Sequence, residues 1–332
     1  MLNQVIISCG HCIRASIAQR TFELCYPRLI TRSSQKSGWE GGETVILDAI
    51  VSHAILLLNF LVKHSQEVFT TLDSSLNRPT SDSSSIDLMI AAYRPSSDID
   101  SDIFLPFILP VLISSIQRNS FLDESLAVLT RTLHFRQSKT SPPSLSPHIT
   151  VPLCSLLPAV ASSHADPLTR HQAFRVLSVL LVASEPQLRF RHLVELTSES
   201  EFPQMRVASV GLVKEALLEA LSLPPSAENI FMTSLFLRSF GTILFRPNPS
   251  DLFKSANLTL SEFQENLEPQ RLVECLSLYY VLLLRDKSNL VCSLVPLFRN
   301  SFLYTEFLIR LCRLEFGIPV FLKLLIRTFS LP

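Results

Sequence analysis

Glycine is scarce in this chain, with 7 in 332 residues. That scarcity excludes a hairpin-rich all-β class and the glycine loops that cradle phosphates. No Walker loop, dinucleotide fingerprint or Gly-x-Ser-x-Gly elbow occurs anywhere. Net charge is missing too, because 29 basic residues balance 29 acidic ones. With no run of lysine and arginine, the footprint of phosphate neutralisation is absent and no nucleic acid is expected as a partner. Also lacking is an apolar run of bilayer length, which takes about 20 residues. The best stretches are 49–62, interrupted by His53 and Asn59, and 103–116, which holds Pro106 and Pro110. Both fit buried helices better, so no membrane span is expected. The first residues lack a basic n-region and a cleavage site, which makes a poor secretory signal. Arg14 and Arg20, with no acid before Glu23, keep a mitochondrial presequence as an alternative.

Cysteines are few and scattered: Cys9, Cys12, Cys25, Cys154, Cys275, Cys292 and Cys312. An odd number, five of them in apolar helical settings, implies free thiols in a reducing compartment, cytoplasmic or nuclear. Cys9-Gly-His-Cys12 matches the dithiol of disulfide isomerases and raises a thiol oxidoreductase as the enzymatic alternative. A thioredoxin fold needs a βαβ frame, and only eight residues precede this motif. No second pair stands at zinc spacing, so neither metal nor cofactor is expected. His148, His164, His171 and His192 read as surface or cap residues. Asp98, Asp100 and Asp102 read as a solvated charged loop, without the glycine and terminal glutamate of a calcium site.

Proline is plentiful instead, with 21 residues, and suits many helices that each need a start or a stop. Helical spacing recurs along the chain. A helix is expected from Ile13 to Cys25 and another over Thr44–Phe69, within an N-terminal helical segment 1–70. Residues 71–102, rich in Ser and Asp, read as a mobile loop with an apolar island at Ile86–Tyr93. A helix pair over 103–135 follows, with Leu126, Leu129 and Leu133 on one face. Residues 136–150 hold three prolines and four serines and read as a linker.

From 151 to 332 the pattern is that of a repeat core. Within it, residues 151–221 match themselves when shifted by 36: Leu157 falls on Leu193, Val160 on Leu196, Leu177 on Val213 and Leu181 on Leu217. Pro167 likewise falls on Pro203 and Arg170 on Arg206. Such a period belongs to stacked antiparallel helix pairs, an all-α solenoid of the HEAT or armadillo kind. The turn residues are Asp166 as N-cap, Pro167 and Pro203 at the first helical position, and Arg170 and Arg206 just inside. Arginines there commonly pair with the aspartate of the turn, and Asp166 is the expected partner of Arg170; the alternative is that they face a partner. The second turn has Phe202 in place of the aspartate. Further on, helices are expected over Ile230–Leu244 and Arg271–Arg285, the latter with Leu272, Leu276, Tyr279, Tyr280 and Leu283 inward. Thr259-Leu-Ser-Glu262 reads as a capping box. The last segment, Val320 to Leu331, is apolar apart from Lys323 and Arg327, and is expected to mark a partner contact, a dimer contact or missing repeats.

The runs LPAVASSHADPLTRHQAFRVLSVLL, FPQMRVASVGLVKEALLEAL, FRPNPSDLF and EPQRLVECLSLYYVLLLRDKSN give the chain its family likeness. Over roughly 103–290 it resembles the fungal branch of a family that joins glomulin and the plant aberrant-lateral-root-formation protein. Yeast proteins that bind an oxidative-stress transcription factor or act at kinetochores belong to the same family. The resemblance implies a helical-repeat adaptor or inhibitor without catalytic activity. Its implied partner is a cullin-RING ubiquitin ligase subunit, or a stress-response or kinetochore protein. No binding motif matches residue by residue, so no site residues transfer. A membrane-associated helical protein stays as a further alternative.

Overall fold

The computed structural model describes residues 17–27, 88, 91–92, 101–138, 144–198, 200–223, 229–244, 267–286 and 291. Among these residues the secondary structure is helical: nine α-helices, one 3-10 turn and an isolated bridge between Leu145 and Ser184. The class is all-α. The helices fall into two compact units, Met1–Arg189 and Phe190–Pro332. Cys9, Cys12, the helix expected over 44–69, the capping box at 259–262 and the apolar segment 320–331 lie outside the described residues.

The first unit contains α1 (Ile17–Cys25), α2 (Ser101–Arg118), α3 (Leu122–Gln137), α4 (Pro147–Ser163) and α5 (Pro167–Ala183). Helices α2 and α3 are joined by a tight turn in which Asn119 and Phe121 take φ of 55° and 53°. The hydroxyl of Ser115 donates to the carbonyls of Ser120 and Phe121 and lies 2.7 Å from the Ser125 hydroxyl. These bonds tie the last turn of α2 to the turn that opens α3. Proline does not only start helices here. Pro106 and Pro110 lie inside α2 on its exposed face, so the acceptors they orphan can meet water.

Within the unit, α2 packs on α3 and α4, α4 on α5, and α3 on α5. Leu112, Leu129, Leu133, Leu153, Leu157 and Leu177 are all fully buried in it. Buried Arg136 of α3 binds Asp102 in the first turn of α2, and its Nη2 donates to the Ser144 carbonyl at 3.2 Å. Asp102 is therefore an ion-pair partner on a helix, not part of a solvated loop. Helix α4 begins at Pro147 with Ser146 as its cap, inside the stretch read as a linker. The start signal there is a capping serine before a proline, which composition alone conceals.

Helix α6 (Pro186–Ser198) runs across the unit boundary. The second unit continues with α7 (Pro203–Ser222), the 3-10 turn Ile230–Met232, α8 (Ser234–Leu244) and α9 (Glu268–Arg285). The helix expected over 230–244 is split at Thr233, which is extended and whose hydroxyl bonds the Ile230 carbonyl at 2.8 Å. Helix α7 packs on α9 and on the 3-10 turn, which in turn packs on α8. Phe190 meets Phe231 and Phe240 edge-on, with ring centres 5.4 and 5.1 Å apart, favoured geometries for aromatic pairs.

Helix α9 starts earlier than expected, at Glu268, and buries Leu272, Cys275, Leu276, Leu278 and Leu282. Tyr279 and Tyr280 are only half-buried. Arg271 and Glu268 form a buried ion pair, with Nε to Oε2 at 2.8 Å. The same guanidinium donates to the Ile243 carbonyl at 3.1 Å and the Leu244 carbonyl at 3.4 Å. It thereby closes the C-terminus of α8, where cations are favoured.

Candidate interaction surface

The two turns singled out by the 36-residue register are built differently. At the start of α5, the carboxylate of Asp166 accepts from the amides of Leu168 at 3.3 Å and Thr169 at 3.1 Å. It also accepts from the Thr169 hydroxyl at 2.7 Å. Pro167 occupies the first helical position, where an amide would have no partner in the helix. Arg170 does not pair with this carboxylate. Its Nη1 donates to the carbonyls of His164 at 2.6 Å and Ala165 at 3.1 Å, which end α4. The guanidinium is thus held within the turn, and the carboxylate is already engaged by the helix start. Exposed on the same turn is Leu168, 51% accessible.

At the start of α7, Pro203 again takes the first helical position, but Phe202 offers no side-chain cap. Ser200 instead accepts from the amide of Phe202 itself, at 3.3 Å, and leaves the first-turn amides of α7 without a side-chain cap. Arg206 is half-buried, and its Nε is buried with no hydrogen-bond partner among the described residues. The turn therefore keeps its proline and arginine without the aspartate that organises the first one.

The histidines divide. His148 and His171 are exposed, and His164 is the C-terminal cap of α4, its Nδ1 3.1 Å from the Asp166 amide. His192 departs from expectation: it is buried on α6, with Nδ1 3.1 Å from Glu195. Cys154 and Cys275 are buried thiols, in no disulfide, and burial pushes the Cys275 thiol up to about 12, which keeps it protonated and unreactive. Among the described residues no group of His, Cys, Asp and Glu could hold a metal ion, and no helix is long and apolar enough to cross a membrane.

The contact that sequence reasoning missed altogether is the seat of α1. This helix packs on α3 and α5. Its Ile17 and Ala18 amides donate to the Asp123 carboxylate at 2.6 and 3.0 Å, so a residue of α3 caps a helix more than 100 positions away. Ile17, Ala18, Thr21 and Phe22 are buried. The guanidinium of Arg175 on α5 stacks over the Phe22 ring at 4.3 Å. Tyr26 follows, its ring 4.9 Å from Phe22 and edge-on to His134, and its hydroxyl donates to Gln137 at 2.9 Å. Burial pushes that hydroxyl's pKa upward, so it stays a donor. The sequence held one signal for this seat, the Ile-Ala-x-x-Thr-Phe spacing of an amphipathic helix. Nothing local to Asp123 announces that it caps another element.

Two comparisons with known proteins return nothing: no curated protein and no solved structure matches the chain. A third does. The model of the uncharacterised protein family YAP/Alf4/glomulin matches residues 100–312, which takes in every described helix except α1. The match covers well over half of the sequence and contains both proline turns and the leucine register shared between them. By this match the chain belongs to the YAP/Alf4/glomulin family.

Proposed function

We propose that the chain is a non-catalytic adaptor or regulator that works by binding other proteins, built as a HEAT/armadillo-like α-solenoid. The observation that carries the reading is membership of the YAP/Alf4/glomulin family over residues 100–312. The repeat register supports the architecture. Leu157 and Leu193, Val160 and Leu196, Leu177 and Val213, and Leu181 and Leu217 are 36 residues apart in sequence, and all eight are buried. Equivalent burial at one fixed offset is what repeated helix pairs require, since each pair buries its apolar stripe against its neighbours. The partner class is a cullin-RING ubiquitin ligase subunit, an oxidative-stress transcription factor or a kinetochore protein, met in the cytoplasm or nucleus.

Affinity purification of the tagged full-length chain followed by mass spectrometry tests this. Ligase subunits, stress-response factors or kinetochore proteins should be enriched over a mock purification. Recovery of none of these classes overturns the partner assignment. The non-catalytic part has its own check, an insulin-reduction assay in which the full-length chain should be inactive. Activity that disappears in Cys9→Ser would replace the adaptor by a thiol oxidoreductase.

A further inference from the structure

We propose that the groove between α3 and α5 is a binding site for short amphipathic helices, and that α1 is its occupant in cis. The partner it fits is a helix with an aliphatic residue, a small residue next to it and an aromatic five positions after the first. That is the pattern of Ile17, Ala18 and Phe22, all buried in the seat. Helix-in-groove recognition uses anchors of this kind, spaced along one face.

Four features mark the seat as a ligand site as well as a piece of core. First, α1 has nine residues, too few for a stable helix in isolation, so folding and docking of this segment are coupled. Second, the groove itself supplies the helix cap. Both Asp123 oxygens receive α1 amides, a charge-assisted arrangement any helix N-terminus could use. Third, the flanking charges are complementary: Arg20 of α1 acts on Asp123, and Glu23 acts on Arg175. Fourth, the hydrogen bonds from Ile17, Ala18 and Tyr26 to Asp123 and Gln137 join residues more than 100 apart in sequence. Helix α1 ends at Cys25 and α2 begins at Ser101, so the groove holds a segment far from it in sequence. The outward face of α1 carries Leu24, 82% accessible, which takes no part in the docking.

The inference rests on the adaptor reading only for its purpose; the groove can be tested alone. A fluorescein-labelled peptide of residues 16–27 is titrated into the full-length chain and into full-length Phe22→Ala, with anisotropy as the readout. The wild type, its groove occupied, should bind at least ten times more weakly than Phe22→Ala, whose own α1 has lost its main anchor. A peptide carrying Phe22→Ala should bind neither chain. Full-length Ile17→Asp serves as a second vacated groove should the first variant lose helicity by circular dichroism. The proposal is overturned if folded Phe22→Ala or Ile17→Asp chains bind the peptide no better than wild type. Binding that survives loss of the peptide's phenylalanine overturns it equally. A purification that recovers no partner would sink the adaptor reading and leave these titrations unaffected.

Discussion

Glu124 shows which of two opposing effects wins at a single residue. It lies in the first turn of α3, where the helix dipole favours a carboxylate by up to about 1 kcal/mol. Burial opposes this and prevails, with the Asp123 charge adding to it, and the carboxyl is pushed from 4.5 up to about 7. The folded state therefore holds a proton that the unfolded chain has released between pH 4.5 and about 7. Stability from this group is intact below the unfolded value and falls as pH rises through that window. The loss at pH 8 corresponds to roughly 3 kcal/mol. Glu124→Gln should therefore stabilise the protein by about 2–3 kcal/mol at pH 8 and by almost nothing at pH 4.5, measured by urea denaturation. A gain independent of pH would show that the side chain is not titrating in this range. Gly211 offers a second residue-level test. It lies within α7, and a Cβ placed on it would meet nothing within 4 Å. Gly211→Ala should raise stability by about 0.5–1 kcal/mol, the helix-interior difference between the two residues. Destabilisation would mean that another segment approaches this face.

At the scale of elements, capping and register decide where helices begin and which side they bury. Asp166-Pro167 and Ser146-Pro147 both combine a capping side chain with a proline at the first helical position, and both start helices. Leu177 lies at the fully buried centre of α5. Leu177→Ala should cost about 2–5 kcal/mol in thermal or denaturant unfolding. A change near zero would show that the register is misplaced.

Much of this was legible in the sequence, because helix stripes and N-caps are local. Leu153, Leu157, Leu177, Val213 and Leu217 are all buried as their spacing implies. What was not legible depends on distant partners. Asp123 looks like a first-turn acid of its own helix, and its role capping α1 exists only once the two meet. Arg271 and Glu268 look like a surface i,i+3 pair, yet both are buried and the arginine closes α8. The Arg170 pair failed for a related reason. Sequence places Asp166 beside it, but the helix start competes for that carboxylate and wins.

For the whole molecule, family membership narrows function more than any single side chain does. The match over 100–312 spans parts of both compact units, so the family pattern is not confined to one of them. The seat of α1 lies mainly on α3 and α5, within the matched region, whereas α1 itself precedes it. That division suits a groove shared by the helical core and a segment that governs access to it. Holding other proteins is the central property proposed for this chain. Native mass spectrometry of the full-length chain, purified at low salt from the cells that make it, tests that claim most directly. The expected result is a complex heavier than the chain by the mass of a different protein, present in fixed ratio. Recovery of only the bare chain, or only of multiples of it, would contradict the claim.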